Sequence, residues 1–132
     1  MSAAEYRETV KAPKKGRAEA DVHISIVNYI NRVLPHNLMA HPANGEKRSK
    51  EAAKKLKCMG VRAGVPDLFI PLGCGKILWL EIKKPGGVLS KPQREYIKKL
   101  RDYGHPVAIV ESIDDVRNTF KAMGIVTRES VR

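Results

Sequence analysis

Two carboxylates and one amine stand where this sequence should be uniformly apolar. Asp67 follows a Gly64-Val65-Pro66 corner and leads into Leu68-Phe69-Ile70-Pro71. After thirteen intervening residues comes Glu81, at the end of Leu78-Trp79-Leu80 and followed by Ile82-Lys83-Lys84. Both runs read as short strands. Glu81 and Lys83 are two apart, so their side chains leave the same face of a sheet. The Gly-rich Leu72-Gly73-Cys74-Gly75-Lys76 between the runs suits a hairpin loop, which would set Asp67 beside Glu81. Two carboxylates about 4 Å apart repel by roughly 4 kcal/mol at an effective dielectric near 20. Lys83 offsets part of this. A hard divalent cation offsets it better, since Mg2+ takes one or two carboxylates and fills its remaining positions with water and phosphate oxygens. The plainer reading is a surface ion pair, which is common and worth little.

The elements that must position these groups are legible from periodicity. Val22, Ile26, Ile30 and Val33 predict a helix from about Ala18 to Leu34, stopped by Pro35. Glu19 falls on its inward face near the N-terminus, where an acid is often only a dipole partner. Asn37–Ala43 is expected to be a strand ending at Pro42. Residues 46–58 are expected to form a lysine-rich helix with a thin apolar face and Gly60 as its C-cap. The continuous apolar runs of the two central strands suggest a sheet covered on both faces, with Trp79 in the core. Ser90 and Gln93 read as a capping box opening a helix to about Tyr103, with Tyr96, Ile97 and Leu100 inward. Val107–Val110 should lie parallel to the second central strand. Ser112 caps a last helix ending at Gly124, and the segment from Ile125 is expected to be peripheral.

The ordered set Gly64-Val65-Pro66-Asp67-Leu68, Leu80-Glu81-Ile82-Lys83, Pro85-Gly86-Gly87, Leu89-Ser90 and Gln93 resembles the VRR-NUC family of PD-(D/E)XK nucleases, from about Arg17 to about Val116. The resemblance implies a restriction-endonuclease-like α/β sandwich, with a central mixed sheet flanked by helices. It also implies that Asp67, Glu81 and the backbone carbonyl of Ile82 bind Mg2+, with Mn2+ substituting. Glu19 would join through water or at a second metal position, and Lys83 would orient the attacking water. Gln93 would reach that water or the scissile phosphate, which the capping role allows only if its side chain turns away from the cap. His23 stands four residues after Glu19, where the family commonly has Gln. Its role is open, and His41 reads as an ordinary surface or packing residue.

The remaining numbers bound the partner. The chain has 132 residues, enough for one domain, and a net charge of +11 from 25 basic and 14 acidic residues. Such an excess favours nucleic acid or an anionic membrane. No basic amphipathic helix has the aromatic face of a membrane binder, so nucleic acid leads. Lys47, Arg48, Lys54, Lys55, Arg62, Lys84, Lys91 and Arg94 are the candidate phosphate contacts. Lys98, Lys99 and Arg101 also face mostly outward. Residues 1–16 read as a flexible basic tail, 17–124 as the nuclease domain and 125–132 as a C-terminal tail. Cys58 and Cys74 form no CxxC pair, and no zinc ligand set is apparent. With no hydrophobic N-terminal run, a cytoplasmic location is expected, in a bacterial or phage-infected cell.

The function expected is a metal-dependent DNA endonuclease. By likeness to small Holliday-junction resolvases, it would be homodimeric and selective for branched DNA. The alternatives are a nonspecific or sequence-specific nuclease, and a binding module on a catalytically dead nuclease fold.

Overall fold

A computed structural model describes residues 16–43 and 49–130. The order is α1 (Arg17–Val33), α2 (Lys50–Cys58), β1 (Leu68–Pro71), β2 (Ile77–Ile82), α3 (Lys91–Asp102), β3 (Val107–Val110) and α4 (Ile113–Ala122). The fold is α/β, a mixed three-stranded sheet in the order β1-β2-β3 with helices around it. β1 pairs antiparallel with β2 in the register Leu68↔Leu80, and β2 pairs parallel with β3 in the register Leu80↔Ala108. The hairpin loop carries a single 3-10 turn, Gly73–Gly75.

Alternation along the strands sends Leu68, Ile70, Leu78, Leu80, Ile82 and Val110 to one face. There they pack on Ile26, Tyr29, Ile30 and Val33 of α1 and on Val116 and Phe120 of α4. Full burial of each such side chain contributes about 1.5–3 kcal/mol. The opposite face is only partly covered, which departs from the expectation of two closed faces. Phe69 and Trp79 there are half-buried with ring centroids 5.4 Å apart, and Ile109 is exposed. Helix α3 meets β3 and buries Ile97, but not Tyr96 or Leu100. Trp79 is thus a margin residue of the core.

Residues 37–43 do not form the expected strand. Only Ala40 bridges to Phe69, through both backbone hydrogen bonds. The Asn37 side chain engages Leu34 O and the Met39 amide, Pro42 has no N–H to donate, and Ala43 has φ 54°. Each of these stops a ladder from growing. Of the lysine-rich helix, Ser49 caps the described part by accepting from the Ala52 amide, and no α2 residue is buried. Lys47 and Arg48 lie outside the described residues, as do residues 1–15.

The segment after α4 is not peripheral. Ile125 packs on the core, Thr127 is buried, and the Arg128 amide donates to Val33 O at the end of α1. Tyr29 Oη donates to Glu129, which also takes hydrogen bonds from Arg117. The Arg32 and Arg117 guanidinium groups lie against the Tyr29 ring, 5.6 and 5.1 Å from its centroid.

Candidate active site

Asp67 sits one residue before β1. Carrying the Leu68↔Leu80 pairing one step further sets it opposite Glu81. Its Oδ2 accepts a hydrogen bond of 2.7 Å from the Ile82 amide, so the carboxylate is held by the strand that bears its partner. Its backbone carbonyl accepts from His41 Nδ1 at 2.5 Å. Glu81 is 1% exposed, on a strand paired on both sides. Taking a carboxylate so far out of water costs several kcal/mol unless charge or hydrogen bonds compensate.

Glu19 comes from the first turn of α1, and Lys83 Nζ lies 3.9 Å from its Oε1. Both side chains are largely shielded, with 14% and 12% exposure. One oxygen from each of Glu19, Asp67 and Glu81 falls within 4.8 Å of the others. At that separation each pair repels by about 3.5 kcal/mol at an effective dielectric near 20, and the Lys83 ammonium offsets part of this. Three hard oxygen donors without sulfur or imidazole fit Mg2+, Mn2+ or Ca2+ better than softer ions.

Gln93 divides its amide between two tasks. Its Oε1 accepts from the Ser90 amide at 2.8 Å, completing the capping box, while Nε2 donates to Glu81 Oε2 at 3.4 Å. The side chain therefore need not leave the cap to reach the site, contrary to the sequence-based expectation. Two glycines allow this closeness. Gly64 has φ 87°, and a Cβ there would lie 2.2 Å from Pro92 O and 2.9 Å from Gln93 N. A Cβ on Gly87 would lie 3.3 Å from Lys83 Cβ. Glu111 anchors the same loop by accepting from the Gly86 amide at 2.9 Å.

All five residues expected to be catalytic line one cleft, together with His23, His41 and Arg62. The two histidine rings meet edge to face with centroids 4.8 Å apart. Lys57 and Lys99 also line the cleft, whereas Lys54, Lys55, Lys84, Lys91 and Arg94 do not. Lys91 pairs with Glu95, and Arg94 donates to Leu89 O. The parts played by His41 and Glu111 had no signature in spacing, because each acts through one main-chain contact.

An α/β sheet that gathers three acids and a lysine into a cleft defines a protein able to hold a metal ion beside that lysine. A profile of the VRR-NUC domain matches residues 15–114, and the chain belongs to that family. Its domain is accordingly a nuclease domain, with nucleic acid as substrate, and its signature is consistent with the PD-(D/E)XK superfamily. The chain is similar to a solved "VRR_NUC domain protein", with 29% identity over 82% of this chain and 88% of that one and a TM-score of 0.62. It also aligns with a solved "VRR_NUC domain", with 22% identity over 83% of this chain and 97% of that one and a TM-score of 0.49. No curated protein matches the sequence. Among the described residues no helix is long and apolar enough to cross a membrane.

Proposed function

We propose that the chain is a divalent-metal-dependent DNA endonuclease, acting as a homodimer and selective for branched DNA. The observation that supports it most is the convergence of Glu19, Asp67 and Glu81, with Lys83 beside them. Asp67, Glu81 and the Ile82 carbonyl would hold Mg2+ or Mn2+, with Glu19 acting through water or at a second position. A bound cation supplies Lewis-acid polarisation of the phosphate and acidifies nearby water.

The chain's own residues do the remaining work. Lys83, held in place by Glu19, orients the water that attacks phosphorus and stabilises the negative charge that develops there. Gln93 holds Glu81 in one rotamer. The Ile82 amide and His41 fix Asp67 from its carboxylate and its carbonyl. Arg62 in the cleft is suited to grip a neighbouring phosphate. A two-fold dimer would set two sites against two strands.

The test is cleavage of linear duplex, flap and four-way-junction DNA with Mg2+, Mn2+ or EDTA. Metal-dependent cutting of branched substrates, lost in Asp67→Ala with binding retained, is the expected result. Equal cutting of every substrate would remove the branch selectivity, and no cutting under any metal would leave a binding module. Light scattering reads the dimer.

A further inference from the structure

The cleft extends beyond the acids, into the space between α2 and α3. Ala53, Leu56 and Lys57 share one helical face of α2 and line it. Tyr96 and Lys99 line it from α3, one turn and two turns beyond Pro92 and Gln93 at the acidic end. Val61 and Arg62 complete this part of the wall.

The composition is unusual for a surface meant only for duplex DNA. A duplex offers its phosphates and sugars to a protein that does not enter a groove, and Lys and Arg suffice for those. Here Leu56, Val61 and Tyr96 are interleaved with Lys57, Arg62 and Lys99. The apolar stripe of α2 is covered only in part: Ala52 and Leu56 are half-buried, Ala53 is exposed, and no side chain of the helix is buried. Glu95 is the acid at this end, and Lys91 lies 3.9 Å from it. Basic grooves with an aromatic platform are the form that unpaired nucleic acid selects, because any base can stack and the phosphates follow the cations.

We propose that the trench between α2 and α3 seats an unpaired DNA strand, one base stacked on Tyr96 and adjacent phosphates held by Lys57, Arg62 and Lys99, leading to the three-carboxylate site. This rests on the nuclease reading for its substrate and deepens it. The feature recognised on a branched molecule is the strand that has left the duplex, and α2 is the wall that excludes paired DNA from the trench.

Binding is measured in EDTA, so that cutting plays no part. Labelled oligothymidylate and a blunt duplex are titrated against the wild-type chain and Tyr96→Phe, Tyr96→Leu and Tyr96→Ala. One lost base stack corresponds to a fall in affinity of about 5- to 150-fold. That fall is expected for oligothymidylate in the Leu and Ala variants, with near wild-type affinity in Tyr96→Phe and little change for the duplex. In parallel, a strand carrying 5-iododeoxyuridine is photocrosslinked to the wild-type chain, where no variant need fold, and the adduct is expected on Tyr96. Unchanged oligothymidylate affinity in Tyr96→Leu, equal losses for both DNAs, or an adduct elsewhere would overturn the proposal. A chain that cuts DNA yet fails these measurements keeps the nuclease reading and loses the trench. One that passes them and cuts nothing keeps the trench and loses the nuclease.

Discussion

The Ile82 amide donates to Asp67 Oδ2, so one acid of the site is held by the backbone of the strand that carries another. Asp67→Asn keeps an acceptor for that bond but gives up a charge. Activity should fall at least 100-fold while the fold persists. Asp67→Ala gives up the bond as well, which is worth about 1.5–3 kcal/mol for a charged acceptor. Cleavage assays beside urea unfolding of the two variants read the difference. Equal stabilities would show that the hydrogen bond holds nothing in place.

The crowding of three carboxylates predicts an inverse relation between stability and metal. In EDTA, Asp67→Asn should unfold several degrees above the wild-type chain, because like-charge repulsion with Glu81 is relieved while the Glu19–Lys83 pair is kept. Adding Mg2+ or Mn2+ to 100 times its Kd should stabilise the wild type by about 2.7 kcal/mol. The chain carrying both Asp67→Asn and Glu81→Gln should gain almost nothing. Thermal unfolding with and without metal checks both, and a wild type indifferent to metal would refute the site.

Gly64 and Gly87 separate stability from activity. Gly64→Ala meets both a left-handed backbone and the Pro92 carbonyl, so a loss of about 2 kcal/mol or more is expected. Gly87→Ala presses only on the stem of Lys83 and on Lys84 O. It should cost under about 1 kcal/mol yet lower kcat clearly, as displacement of the lysine would. Unfolding curves and single-turnover rates of the two variants test the contrast.

The Tyr29–Glu129–Arg117 cluster predicts a pH dependence of stability at both the acid and the alkaline end. Hydrogen bonds from Arg117 and Tyr29 hold the Glu129 carboxyl down at about 2. Its stabilisation is therefore complete above the ordinary carboxylate value near 4.5 and disappears as the pH falls toward 2. Burial and Glu129 push the Tyr29 phenol up to about 12. Its contribution is intact below pH 10 and disappears as the pH rises through 12. Glu129→Gln should flatten the acid limb of stability against pH and soften the alkaline limb. Urea midpoints across the range provide the measurement.

The sequence showed the site's chemistry better than its supports. Asp67, Glu81 and Lys83 were visible because charge interrupts apolar runs at strand spacing, and Ser90 with Gln93 because capping is local. Asn37–Ala43 misled because alternation does not register what Pro42 and the Asn37 side chain do to main-chain pairing. The apolar runs predict a sheet closed on both faces because Trp79 and Phe69 are apolar whether or not a helix covers them. His41, Glu111 and the docking of Thr127 and Glu129 were invisible for one reason. Each is a contact between residues far apart in sequence, with no periodicity to announce it.

Glu81 belongs to a strand flanked by a ladder on either side, and Lys83 follows one residue past its end. Local breathing that would let Glu81 retreat from its neighbours must shear both ladders at once. Amide exchange along that strand should accordingly rank with the slowest in the molecule. The resting enzyme then keeps its acids crowded whether or not a cation is present. On the proposed reading, a cation would load by entering the cleft, with no loosening of the scaffold required.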